Sequence, residues 1–149
     1  MTNHYSPWVD RLAKEFQTFR ARLAGADLAP EEVRRLLQAA ATSAGALYLE
    51  GLSRVKKCSV MGRAAMAQDL GVLVDKLRGI LGAPPNMLLV DNYIKAFYEQ
   101  PEGFVRWALT HPEYTRAQVE SLLGCMGRCN NWGRSQIKGM LSEIEAGQM

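Results

Sequence analysis

The sequence has no long apolar run without charge, which is the first requirement for a membrane-spanning helix. Gln38 to Leu49, an uncharged stretch near its middle, is rich in alanine and much shorter than the roughly 18 residues that such a helix needs. The segment from Met1 to Asp10 is polar where a signal peptide would carry its apolar core. We therefore expect a protein that is not secreted and that works in the cytoplasm.

Histidine is almost absent, and the sequence has no pattern typical of a metal site or a phosphate-binding loop. The two histidines, His4 and His111, have no ligand spacing to any cysteine, and a zinc site needs three or four such ligands. Gly124, Gly127 and Gly133 do not follow a strand, so they do not form a phosphate-binding loop. The sequence predicts no cofactor, no metal and no small-molecule substrate.

Cysteine is also scarce, with Cys58, Cys125 and Cys129 as the full set. An odd count in a chain without a secretion signal favours reduced thiols, which usually pack as small apolar residues. The alternative is a small thiol-dependent enzyme that uses Cys58 or Cys125 with His111 as its base. No paired-carboxylate pattern accompanies these residues, so we predict that the protein is not an enzyme.

Positive charge is only slightly in excess, at a formal net charge of +3. This balance argues against nucleic acid as a partner, although a small helical nucleic-acid-binding domain remains an alternative. The basic residues cluster at Arg54, Lys56, Lys57 and Arg63, which would form two rows on a helix. We predict that these four contact an acidic partner or phosphoinositide headgroups, the alternative being a solvated helix face.

Proline is missing between Pro30 and Pro84, and apolar residues recur at helical spacing almost everywhere. The pattern predicts an all-α fold, an elongated helical bundle of about six helices. We expect residues 31–81 to form one long central helix; the alternative is two helices with a break around Ser59–Gly62. Asp69, beside the apolar stripe of this segment, is expected to pair with a basic residue of another helix.

The boundaries of the other helices follow from capping residues and breakers. Ser6 with Pro7 opens a first helix that ends at Gly25, and Pro30 opens the second. Pro101 begins a later one, Thr115 and Gln118 form a capping box, and residues 124–133 are expected to be loose, with a turn at Asn130-Asn131. The aromatic residues of the C-terminal half are spaced for core packing, the alternative being a partner-binding groove: Tyr93, Phe97, Tyr98, Phe104 and Trp107.

Three stretches resemble the syndetin C-terminal domain family. The first runs from Leu49 to Ser59 and continues with Gly62–Met66 and Asp69. The second runs from Val90 to Tyr98, and the third runs from Trp107 to Thr115 and continues with Gln118 and Leu122. They have the order and spacing seen in that family, and they lie within residues 45–123.

The resemblance implies the helical-rod architecture of multisubunit tethering complexes. It implies a non-catalytic interaction module of a subunit of the endosome-associated recycling protein complex, which is related to the Golgi-associated retrograde protein complex. The expected partners are other subunits of the tethering complex, SNARE proteins and an acidic membrane surface, on recycling endosome and trans-Golgi membranes. Residues 1–149 would then be a single helical domain, a C-terminal fragment of a longer subunit.

Overall fold

A computed structural model describes residues 4–148, whose regular structure is entirely α-helical. The prediction of an all-α fold is confirmed, with seven helices in the described residues where about six were expected. Met1–Asn3 and Met149, which belong to the predicted 1–149 domain, lie outside the described residues. The helices are α1 (Pro7–Ala24), α2 (Pro30–Ser53), α3 (Val60–Leu81), α4 (Leu88–Ala96), α5 (Pro101–Thr110), α6 (Arg116–Asn130) and α7 (Arg134–Gly147).

The expected single helix over residues 31–81 is wrong, because α2 ends at Ser53 and α3 begins at Val60. Serine side chains compete with the helical backbone on both sides of the break. The Ser53 hydroxyl donates to the carbonyl of Glu50 at 2.7 Å in the last turn of α2. Ser59 precedes α3, and its hydroxyl oxygen accepts from the Gly62 amide at 3.0 Å, as an N-cap does. The alternative with two helices is therefore correct, and the break lies slightly before the predicted position.

The segment 124–133 is not loose, as was expected, because α6 continues to Asn130. Gly127 lies inside the helix where α7 approaches it closely. A Cβ atom there would lie 2.5 Å from Cδ1 of Ile137, so a larger residue would not fit without a shift of that side chain. The predicted turn is present at Asn131, which has a left-handed φ of 58°, and the Trp132 amide donates to the Gly127 carbonyl at 2.9 Å.

The structure corrects the expected partner of Asp69. This carboxylate is buried; within residues 4–148 it accepts hydrogen bonds from Ser6, which precedes α1, and forms no ion pair with a basic side chain. The other boundaries agree with the sequence: Pro7, Pro30 and Pro101 each begin a helix, and Gly25 follows the first. The predicted capping box of Thr115 and Gln118 is also present at the start of α6.

The chain divides into two compact units. The first comprises residues 4–48 and 64–91, and its most buried side chains include Val9, Leu37, Leu73, Leu77 and Val90. The second comprises residues 49–63 and 92–148, and its core includes Tyr93, Phe97, Phe104, Leu122 and Leu123. Each unit joins segments that are distant in the sequence. The single-domain organisation stays a prediction.

Candidate partner-binding surface

The predicted basic residues lie mostly in the linker, which we define as residues 54–59 between α2 and α3. Side chains of α6 fix the backbone of this region at three carbonyl groups. Ser121 donates to the carbonyl of Ser53, Arg128 Nε donates to that of Lys56 at 2.5 Å, and Cys129 donates to that of Cys58. The linker therefore has a defined path although it lacks regular structure.

Arg54, Lys56 and Lys57 are exposed on this fixed linker. The predicted two rows on a helix do not exist, because these three residues follow the end of α2. Arg54 makes an exposed ion pair with Glu50 at 3.7 Å, a contact of small energetic value. Within residues 4–148, no ion pair involves Lys56 or Lys57. The three cations are thus displayed to solvent from a backbone that α6 holds by hydrogen bonds.

Arg63 has a different environment from the other three predicted contact residues. It lies in the first turns of α3, where its Nη1 atom donates to the carbonyl of Phe97 at 2.7 Å. Its guanidinium also lies over the ring of Tyr98, 5.4 Å from the centroid. Its Nε atom is buried without a hydrogen-bond partner in the described part of the chain. Arg63 therefore connects α3 to the end of α4, and its contact with another molecule stays a prediction.

A groove of about 690 Å³ borders the linker in the second unit. Three cationic side chains line it, Lys57 from the linker, Arg128 from α6 and Arg134 from α7, and all three are exposed. Trp132 and Ile137 supply half-buried apolar surface, and the remaining lining residues are Gly124, Gly127 and Asn131. No carboxylate is among the described residues that line it. Arg128, Arg134 and Trp132 were not predicted as site residues, because the segment was expected to be loose. The alternation of basic and aromatic residues around Asn131 was the available signal.

The three cysteines come together where the linker meets α6. The amide of Cys58 donates to the sulfur of Cys129 at 3.1 Å, and Cys125 lies one helical turn before Cys129. Burial raises the pKa of the Cys58 thiol, and burial together with the neighbouring Cys129 raises the pKa of Cys125 to about 12. These shifts oppose thiolate formation, which agrees with packing residues and not with a nucleophile.

His111 and most of the predicted aromatic residues form a packed cluster in the second unit. The ring of His111 stacks on Trp107 with 5.2 Å between centroids, and its Nδ1 atom contacts the Trp107 carbonyl at 2.8 Å. Tyr93 donates its hydroxyl to the Gln118 carbonyl at 3.1 Å. Core packing is confirmed for Tyr93, Phe97, Phe104 and Trp107, whereas Tyr98 is exposed beneath Arg63.

The described residues contain neither a metal-binding cluster nor a membrane-spanning helix. Across the chain from residue 4 to residue 148, no three or more His, Cys, Asp or Glu side chains are arranged to hold a metal ion. None of the helices in that range is both long enough and apolar enough to cross a bilayer.

Comparison with known proteins agrees with the resemblance noted from the sequence and extends it to nearly the whole chain. The family profile described as "Syndetin, C-terminal" matches residues 1–145. Syndetin from Mus musculus is 31% identical over 151 aligned residues, and syndetin from Rattus norvegicus and from Gallus gallus are each 30% identical. Each alignment covers 96% of this chain and 16% of the relative, so the chain spans about a sixth of the length of these proteins. No solved structure matches it. The chain belongs to the syndetin C-terminal family.

Proposed function

We propose that this chain is a non-catalytic interaction domain of a vesicle-tethering subunit that acts in endosomal recycling and retrograde transport. Its partners would be other subunits of the tethering complex and SNARE proteins, on the cytoplasmic face of recycling endosome and trans-Golgi membranes. Family membership supports the tethering role, since the resemblance to syndetin implies it. The raised pKa values of Cys58 and Cys125 argue against the thiol-dependent alternative.

The hydrogen-bonded backbone of the linker is the main structural support for the interaction role. A flexible loop loses conformational entropy when a partner orders it, and this loss reduces affinity. Here the hydrogen bonds from Ser121, Arg128 and Cys129 fix the backbone in advance. The exposed side chains of Arg54, Lys56 and Lys57 are therefore presented at little ordering cost to an acidic surface of a partner.

Co-purification of the tagged chain from cells that contain the tethering subunits and SNAREs tests this proposal. Replacing Arg54, Lys56 and Lys57 with glutamine should reduce recovery of these proteins. The matched control replaces three exposed arginines of α1 and α2 with glutamine, Arg11, Arg34 and Arg35, which lowers the net charge equally. Equal recovery with both variants would remove the linker as the contact. If the unmodified chain recovers neither tethering subunits nor SNAREs, the proposed function itself is wrong.

A further inference from the structure

We propose that the groove bordered by Lys57, Arg128 and Arg134 binds the phosphate of a phosphoinositide headgroup at a membrane surface. The inference deepens the proposed function by naming the ligand through which the domain would contact membranes. It rests on the charge of the groove, on the way Arg128 is held, and on two apolar side chains next to the linker.

The charge of the groove is of one sign. Lys57, Arg128 and Arg134 form no ion pair within residues 4–148, and no acidic side chain lines the groove in that range. Three unpaired cations on one concave surface attract an anion, and arginine matches the geometry of phosphate oxygens with paired donors. The volume of about 690 Å³ lies within the range of small-molecule sites, roughly 300–1,000 Å³, so it admits a sugar phosphate.

Arg128 is oriented before any ligand arrives. Its Nε atom donates to the Lys56 carbonyl at 2.5 Å, which leaves the two terminal nitrogens as donors. Those nitrogens lie over Gly124, where a Cβ atom would be 3.6 Å from Nη2. A side chain larger than hydrogen at Gly124 would therefore occupy space beside the guanidinium.

Helix α7 begins at Arg134, at the edge of the groove, and the preceding Gly133 has no side chain to cap the first amides. The helix dipole adds to the attraction for an anion there.

Two exposed apolar residues favour a membrane lipid, and not an acidic protein, as the ligand of the groove. Val60 is 68% exposed and Met61 is 84% exposed, although large apolar side chains of this kind are usually buried. They follow Lys57 by three and four residues, so their Cα atoms lie within about 14 Å of that of Lys57. Basic residues beside exposed apolar ones are the combination with which peripheral proteins enter the headgroup region of a bilayer.

Vesicle co-sedimentation of the 149-residue chain tests the inference. The probes are phosphatidylcholine vesicles with a minor fraction of phosphatidylinositol monophosphate, the same vesicles with phosphatidylserine at equal charge, and soluble inositol bisphosphate. A cation near an anionic surface contributes about fivefold in affinity, so K57Q with R134Q should weaken phosphoinositide-vesicle binding about 25-fold. The matched control, R34Q with R35Q, has the same net charge and should bind nearly as the unmodified chain does.

Replacing Val60 and Met61 with serine separates a membrane from a soluble ligand. This variant should lose vesicle binding several-fold but keep its affinity for inositol bisphosphate. Two other exposed apolar residues, Leu47 and Leu88, replaced with serine, serve as the control. Loss of vesicle binding by both charge variants alike, or equal binding to both kinds of anionic vesicle, would overturn the groove as a phosphoinositide site.

The outcome is distinguishable from that of the proposed function. If the unmodified chain recovers the tethering subunits but does not bind vesicles, the lipid inference fails and the interaction role stands. If vesicles bind and no tethering subunit or SNARE is recovered, the lipid inference stands and the interaction role fails.

Discussion

The carboxylate of Asp69 accepts two hydrogen bonds from Ser6, one from its amide at 2.8 Å and one from its hydroxyl at 2.7 Å. Ser6 immediately precedes α1, and its side chain does not cap that helix in the usual way. The buried Asp69 of α3 accepts from the amide and the hydroxyl of Ser6, so a carboxylate of one helix lies near the positive N-terminal end of another. The pair joins α1 to α3 within the first unit.

Replacing Asp69 with alanine should lower the free energy of unfolding by about 2 kcal/mol, because hydrogen bonds to a charged group are lost and Ser6 is left without its acceptor. Urea denaturation measures this change. The control is D75A on the exposed face of α3, where Asp75 pairs with Arg78 at 3.4 Å and should contribute less than about 1 kcal/mol. Equal effects of the two substitutions would contradict the structural role of Asp69.

Two glycines of α3 should respond differently to alanine. At Gly71 no heavy atom lies within 4 Å of an added Cβ, so G71A should stabilise the helix by about 0.5–1 kcal/mol. At Gly62 the added atom would lie 3.0 Å from the Cys58 sulfur, and G62A should give no gain or a loss. Thermal or urea denaturation of the two variants checks the difference. A gain at Gly62 as large as that at Gly71 would show that the linker does not approach α3 as described.

Arg63 should matter for stability, and Arg54 should not. R63A removes the hydrogen bond to the Phe97 carbonyl and the contact with Tyr98, at a cost of about 2 kcal/mol. R54A removes only an exposed ion pair and should change the free energy of unfolding by less than about 0.5 kcal/mol. Urea denaturation compares them. If R63A were as stable as R54A, Arg63 would be available for a partner like the linker residues.

The thiols of Cys58 and Cys125 should react slowly with alkylating reagents at neutral pH. Their pKa values are raised, chiefly by burial, so little thiolate is present in the folded chain. Mass spectrometry of labelled peptides measures the rate for each cysteine, with the urea-unfolded chain as the reference. Faster reaction in the folded chain than in the unfolded one would revive the thiol-dependent alternative.

Stability should fall in alkaline solution. The folded pKa of Cys125 is about 12, above its value of about 8.5 in an unfolded chain. Burial also raises the pKa of Tyr93. A group with a raised folded pKa favours the folded state fully below its unfolded pKa, and this contribution is lost as pH rises towards the folded pKa. The urea midpoint should therefore decline from about pH 8.5 upwards, and C125A should decline less steeply. A midpoint independent of pH over this range would contradict the burial of these groups.

Local signals in the sequence predicted most helix boundaries, because proline, glycine and capping residues act on the backbone beside them. The capping box of Thr115 and Gln118 is an example. The break after Ser53 was harder to predict, since the linker contains no proline and no glycine. Hydrogen bonds from Ser121, Arg128 and Cys129, which lie about 70 residues away in the sequence, hold the linker in its non-helical path.

The candidate site was predictable only in part, for the same reason. Lys57 belongs to a basic cluster that is visible in the sequence, but Arg128 and Arg134 join it through the fold. Arg63 illustrates the opposite case, because it belongs to the cluster in the sequence but donates to the Phe97 carbonyl at the end of α4. Local spacing identifies cations but does not say which of them remain unpaired.

Three attachments of this region to α6 end on main-chain oxygen atoms, those of Ser53 at the end of α2 and of Lys56 and Cys58 in the linker. Every residue has such an atom, so exchanging Lys56 for another side chain leaves its attachment in place. The backbone path of the linker and the side chain that it presents to a partner can therefore change independently at this position. The charge pattern shown to a partner can be rewritten, by evolution or by an engineer, while the scaffold that displays it stays unchanged.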